Sequence, residues 1–404
     1  MLLRETLAGV LASPAAGGRP PSEVPRVVTK SLRCPPAHAL VLAGVRRCGK
    51  STLQQQLQRR ARAAAVFCNL EDTRLYGLGP DDFPTLLSVL DEHHENADVY
   101  LDEVQEAPQW QRLVRALLDA GRRVCVTGSN ASLLGRDLGA KLTGRHVSVA
   151  VYPFSYAEYL TLRHGARAAT TLRSYLDEGG FPGALREPTL GPTLLRELLR
   201  DVVQRDIVSR YALRDTHHLM NLALHLLAHT GQPLSLQALA KGLAIPSVAQ
   251  AARYAEYLQD AWLVLAVPKF SASFKQRVVS PPKYYAIDPG FCVANTPNPT
   301  PDVGRRLENA VLLSLRRRGA TPTFAAEAHQ WECDFVMPDA AVQVCAELTP
   351  HNRARELRGL LAAAKLPGAR GRKRELVVLT LNQRDLLKED GHTIHVRPAW
   401  EWLD

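Results

Sequence analysis

The chain has 404 residues, 46% of them hydrophobic and 22% charged, which excludes a disordered chain and exceeds one core, since single cores stop growing at roughly 250 to 300 residues. A formal net charge of +10 favours anionic partners such as phosphates and nucleic acid, although an Arg-rich composition of GC-rich origin gives the same excess without any such partner. Seven scattered cysteines without a C-x-x-C pair argue against a zinc site or a disulfide framework. No apolar run approaches the ~18 residues of a membrane span, so a cytoplasmic protein with no membrane partner is expected.

Taken in chain order, the opening MLLRETLAGVLASPAAGG starts like a signal peptide, but Arg4 and Glu5 interrupt the apolar run and an amphipathic helix fits better. Residues 14–36 carry six prolines and the pair Gly17-Gly18, so residues 1–36 read as a helix and an extended lead-in ahead of the folded core. β-rich runs at 38–43, 66–70, 99–101, 123–127 and 147–151 then alternate with helical stretches. That alternation predicts an α/β fold, a parallel P-loop sheet with helices on both faces, over residues 37–160. Long helical periodicity punctuated by Gly179, Gly180, Pro182 and Pro188 predicts a helical extension at 161–230. Ser235 and Ser247 each precede a helical stretch and WLVLAV follows, the outline of a winged helix at 231–290. The runs ENAVLLSLRRRG, ECDFVM, AVQVCAEL and ELVVLTL mark a further α/β unit at 291–404.

Between the first strand and the first helix of the core stands Gly44-Val45-Arg46-Arg47-Cys48-Gly49-Lys50-Ser51-Thr52, which fits G-x-x-x-x-G-K-[ST] in its expected context. Its glycines let backbone N–H groups point at phosphate oxygens, and the following helix adds its positive end. Lys50 is expected to reach the β and γ phosphates of ATP, and Ser51 to ligate magnesium. Some fifty residues on, the apolar run DVYL ends in Asp102-Glu103. Asp102 is the expected magnesium residue and Glu103 the base that polarises the attacking water; the bland alternative is a solvated strand end. VCVTG then leads to Ser129 and Asn130, either of which is placed to sense the γ phosphate, while Ser129 also suits a helix cap. Arg145, after Gly144, is a candidate for neutralising charge in the transition state.

GVRRCGKST, FCNLEDTRL, VYLDEVQ, VTGSNASLL and LTGRHVSVAVYPFSYAEYL together resemble the AAA-like ATPases of bacteria and archaea that carry a C-terminal domain of unknown function of the DUF4143 type. The resemblance continues through YLDEGGFPGAL, LLRDVVQRDIVSRY, KYYAIDPG, RRLENAV and ECDFV, and so spans nearly the whole chain from residue 36. It implies an AAA+ core in which Asn130 is a sensor, and a tail similar to restriction-endonuclease folds. Such a tail uses a helix Glu, a strand Asp and E-x-K on the next strand, the acids binding metal and the lysine assisting water. Glu308 and Asp334 match the first two positions. The third reads Gln343-Val344-Cys345, with Glu347 two residues further on as the one carboxylate that is available to substitute, so a degenerate, non-cleaving tail is expected.

The second helix of the winged-helix outline exposes Gln250, Arg253, Glu256 and Gln259, a weak set for phosphate contact, and a lid against the core is the favoured reading. Two basic runs, Arg316-Arg317-Arg318 and Arg370-Gly371-Arg372-Lys373-Arg374, keep DNA among the partners, although solvated helix ends and loops explain runs this short. ATP, DNA and further copies of the chain are thus the expected partners. The leading reading is an ATP-hydrolysing switch or machine. Its rivals are an ATP-liganded binding module with little turnover, an ATP-gated nuclease and, least of all, a small-molecule kinase.

Overall fold

A computed structural model of the chain describes all residues except 1, 13–22, 62, 130–141, 143, 297–301, 328–329 and 368–372. The chain divides into two compact units, Met1–Val151 and Tyr152–Asp404.

The first unit is a five-stranded sheet of β1 (Ala39–Ala43), β2 (Ala65–Asn69), β3 (Asp98–Asp102), β4 (Val124–Gly128) and β5 (His146–Ala150), in the order β2-β3-β4-β1-β5. All neighbours run parallel. The three inner strands are buried at every residue, which is why they read as continuous apolar runs. The first four helices are α1 (Arg4–Leu11), α2 (Lys50–Arg59), α3 (Phe83–His93) and α4 (Trp110–Asp119). Helix α4 buries Trp110, Leu113, Val114, Leu117 and Leu118, one stripe at helical spacing.

The lead-in belongs to this core, which corrects the expectation that folding starts after residue 36. Leu7, Val10 and Leu11 of α1 are buried. Further on, Gln56 of α2 accepts from the Arg26 backbone at 2.9 Å and donates to the Val24 carbonyl at 2.9 Å. The proline-rich composition misled because it forbids a helix without forbidding a docked, extended segment.

The second unit opens with α5 (Tyr156–Arg163), α6 (Ala169–Glu178), α7 (Pro182–Arg186) and α8 (Gly191–Asp201), the last running into a π-helical stretch at Val202–Val208. Next come α9 (His217–Ala228), β6 (Gln232–Pro233), α10 (Leu236–Gly242), α11 (Val248–Asp260), β7 (Val264–Val267), α12 (Phe274–Val279) and β8 (Lys283–Ala286). β6, β8 and β7 form an antiparallel sheet with β8 in the middle. Ser235 and Ser247 cap α10 and α11 as expected, their hydroxyls accepting from Ala238 N and Gln250 N.

After α13 (Pro289–Asn295), the long α14 (Val303–Arg317) is buried from Arg306 to Leu315. It precedes β9 (Thr323–Glu327), β10 (Trp331–Val336), β11 (Ala340–Val344), α15 (Pro350–Ala364), β12 (Glu375–Thr380), β13 (Asp385–Glu389) and β14 (His392–Pro398). These strands make a six-stranded mixed sheet, β13-β14-β12-β11-β10-β9. The antiparallel meander β9-β10-β11 passes through α15 to the parallel β12.

Candidate active site

In the first unit every strand presents its C-terminal end on one side, and β4 lies between the strand that leads into the glycine loop and the strand that ends in the acid pair. The loop runs from the end of β1 to the start of α2. A Cβ on Gly44 would meet the Val151 carbonyl oxygen at 2.0 Å, so only glycine fits there. Gly49, the residue before α2, holds φ 98°, a conformation that glycine adopts without penalty. Arg47 also takes a positive φ, 64°. The loop is braced from behind: Arg26 donates to the Cys48 carbonyl at 2.9 Å and the Cys48 thiol to the Val151 carbonyl at 3.3 Å. Burial pushes the Cys48 thiol's pKa up, so it packs as a neutral group. Arg46 pairs with Glu71 at 3.5 Å.

Lys50 is 3% exposed; its Nζ donates to the carbonyls of Gly44 at 3.2 Å and Val45 at 3.3 Å and stands 3.6 Å from Glu103 Oε1. Asp102, buried at the end of β3, has the hydroxyls of Thr127 and Ser51 against its carboxylate. Burial raises its pKa, while those two hydroxyls draw it down. Ser51 and Asp102, the two residues expected at magnesium, are therefore brought together, and their oxygens are the hard donors that this ion takes. Glu103 adopts φ 51°, ψ 55°, a left-handed conformation costing about 1–3 kcal/mol for a residue with a side chain. Its carboxylate accepts from Gln105 at 2.6 Å and turns towards Lys50.

Thr127 is the residue that motif reading missed. Its hydroxyl donates to Asp102 Oδ1 and accepts from the Glu103 backbone N–H at 3.0 Å, so one buried side chain on β4 ties the Asp102 carboxylate to the Glu103 backbone. A hydroxyl within the apolar run VCVTG was the available signal. Ser129, just beyond β4, is buried and its Oγ has no hydrogen-bond partner among the described residues. Asn130, the expected sensor, lies outside the described residues.

Arg145 is not part of this arrangement. It precedes β5, where its carbonyl pairs with Ala39 N at the start of β1, about 17 Å from the loop end at ~3.3 Å per residue. Its guanidinium is held by Asp119 at 2.5 Å and the Ala37 carbonyl at 3.2 Å. A Gly-Arg pair carries no information about which end of a strand it occupies.

In the second unit, Glu308 of α14 and Asp334 of β10 do converge, on the wall of a cleft of about 1050 Å³. Gln343 is fixed there by accepting from Asp334 N at 3.3 Å and donating to Glu356 at 2.7 Å. Burial raises the Cys345 thiol's pKa to about 12. Glu347 lies past the end of β11 at Val344 and is exposed, so it does not continue the strand face as expected. The basic run is engaged within the unit: Arg316 donates to the Ala266 carbonyl, Arg317 to Pro153 and Phe154, and Arg318 stacks on Trp402 at 4.1 Å. Lys373 and Arg374 follow residues that are not described, and Arg374 caps the carbonyls of Met337 and Ala363. Gln250 and Gln259 of α11 bond within their own helix, leaving Arg253 and Glu256 exposed.

Residues 36–160 match a family model described as an AAA domain, and residues 169–302 match one described as a domain of unknown function, DUF8612. The second match replaces the expected DUF4143-type domain and ends just before α14. An uncharacterized protein of Methanocaldococcus jannaschii, MJ1544, is 28% identical over 90% of this chain and 87% of its own length. An uncharacterized Haemophilus influenzae protein is 29% identical over 77% and 83%. Among solved structures, the Aeropyrum pernix Orc1 protein in complex with DNA covers 72% of this chain and 90% of its own at 13% identity, with a TM-score of 0.31. The first unit thus carries an AAA-type P-loop domain.

Proposed function

We propose that the first unit binds ATP with magnesium and hydrolyses it, and that the chain works as a nucleotide-driven switch or machine. The observation that carries this reading is Thr127, which holds Asp102 and Glu103 together beside Lys50 and Ser51 where parallel strands end. A strand end that was merely solvated would need neither a buried Thr bridge nor a left-handed glutamate.

The loop's N–H groups and the start of α2 receive the phosphates. Lys50 Nζ leaves the Gly44 and Val45 carbonyls for the β and γ oxygens, a short swing that exchanges neutral acceptors for charged ones. Ser51 and Asp102 would hold magnesium, which offsets charge on the phosphates when bound. Glu103 orients a water and takes its proton as the water oxygen bonds to the γ phosphorus and the bond to the β-phosphate oxygen breaks, giving ADP and phosphate. Ser129 Oγ, buried without a partner among the described residues, is the proposed hydrogen-bonding group for the transferring phosphate, beside the role proposed for Asn130. No role in the reaction is proposed for Arg145.

The remaining domain reading, a winged helix over 231–290, is supported by the helix–sheet order around β6-β8-β7. DNA and further copies of the chain remain partners to test, and an ATPase assay with and without single- and double-stranded DNA reads the first directly. Calorimetric titration of Mg–ATP tests the nucleotide site itself. The parent is expected to bind at one site per chain and Lys50→Ala to lose that isotherm. Equal affinity in both proteins refutes the assignment.

A further inference from the structure

Lys283 opens KYYAIDPG, a segment to which the sequence assigns no chemistry, yet among the described residues it is the most enclosed charge of the second unit, its side chain 1% exposed. It stands first in β8, and its Nζ lies over the Phe324 ring, 5.5 Å from the centroid. Its Nζ reaches Glu332 Oε1 at 2.6 Å, Glu308 Oε1 at 2.9 Å and Asp334 Oδ1 at 3.1 Å. The ammonium donates hydrogen bonds to Glu308 and Asp334 and forms an ion pair with Glu332, so three carboxylates surround it.

Each of the two inner acids takes one further donor. Tyr285, two residues along β8 on the same face, donates to Glu308 Oε1 at 2.6 Å, and Val344 N donates to Asp334 Oδ2 at 2.9 Å. β8 cannot easily withdraw its lysine, because Asn309 of α14 bonds both the N–H and the C=O of Ala286, at 3.0 and 2.9 Å. The carboxylates hold the Lys283 ammonium protonated, its pKa well above the ordinary value in spite of burial.

A metal at the Glu308–Asp334 pair, as the tail's resemblance implies, does not fit these residues. Magnesium needs near-octahedral oxygen ligands at about 2.0–2.1 Å. Glu308 Oε1 and Asp334 Oδ1 face an ammonium, the third ligand position is the neutral Gln343, and among the described residues no group of three or more His, Cys, Asp or Glu is arranged to hold an ion. We infer that Lys283 takes the place of the divalent cation at this cluster, so that the C-terminal cleft is an internally neutralised site that excludes metal. The lysine thereby replaces the metal and does not assist water beside it.

The test is terbium luminescence, sensitised by Tyr285 and Trp331, on nucleotide-free full-length protein, with manganese competition. The parent is expected to show no saturable signal that depends on Asp334. Lys283→Met, which keeps the stem and removes the charge, is expected to gain one site per chain, displaced by manganese and lost again in Lys283→Met, Asp334→Asn. A saturable parent site that disappears in Asp334→Asn overturns the inference, as does a folded Lys283→Met that gains nothing. Should Lys283→Met not fold alone, its thermal unfolding with and without manganese decides: rescue by the ion supports the exchange of cations, and no rescue contradicts it.

Discussion

The two units each bury a lysine, and the two lysines are held in opposite ways. Lys50 rests on two carbonyls with one carboxylate at 3.6 Å, partners that are modest and easily exchanged for phosphate. Lys283 has three carboxylates within 3.1 Å and a side chain only 1% exposed. A cation that must greet an anionic ligand is kept under-satisfied, whereas one that must hold protein together is saturated. Burial alone does not separate the two, since both side chains are enclosed; the chemistry of the acceptors does.

Exchanging each lysine for a smaller, neutral residue breaks the comparison most sharply. Lys283→Ala strands buried carboxylates and is expected to lower folding stability by about 3–5 kcal/mol, read as a fall in the melting temperature. Lys50→Ala is expected to leave the melting temperature near the parent's while weakening Mg–ATP by about 3 kcal/mol, on the order of 100-fold in Kd. Similar effects of both variants on both readouts would erase the distinction.

A smaller effect is expected from Thr127→Val, which keeps the shape of the bridge and removes its hydroxyl. Glu103 N–H loses its acceptor and Asp102 a donor, at a cost of about 1–3 kcal/mol. Most of that should appear in turnover and little in ATP affinity, because the phosphate cradle does not include Thr127. Loss of affinity with turnover per bound nucleotide intact would move Thr127 out of the hydrolytic arrangement.

The smallest effect is a pH dependence of the C-terminal cluster. Burial, then the charge of Asp334, raise the Glu308 carboxyl to about 8, with Lys283 and Tyr285 pulling the other way. A raised folded pKa means that this group's contribution is fully present below the unfolded value of 4.5 and is lost as pH rises through about 8. Glu308→Gln does not titrate, so in denaturant unfolding the parent's stability should fall relative to that variant as pH rises from about 5 to about 9. A constant difference across that range contradicts the buried carboxyl's role.

Much of the nucleotide site was legible because its parts are local. The loop is contiguous, its glycines are required by a 2.0 Å approach and a φ of 98°, and the acid pair ends an apolar run. Thr127 was not legible as a bridge, since a hydroxyl in a strand is unremarkable until the order of strands puts β4 beside β3. Arg145 failed for the complementary reason: its sequence neighbourhood suited a catalytic group, and the parallel register places it at the wrong end. Arg26 was hidden among prolines, although it supports the loop through the Cys48 carbonyl. In the second unit, the Glu and Asp positions of the cleft were implied by the family resemblance, while Lys283 comes from another sheet and 25 residues upstream of Glu308. Its only local trace is one charge opening the apolar run KYYAI.

The account's central claim is that the left-handed Glu103 is the base of an ATPase, and single-turnover hydrolysis of Mg–ATP by the parent and Glu103→Gln tests it most directly. The amide keeps the shape and the Gln105 contact but cannot take the proton. The account predicts unchanged binding and a rate on the order of 100- to 10,000-fold slower. Hydrolysis by Glu103→Gln at the parent rate would contradict it.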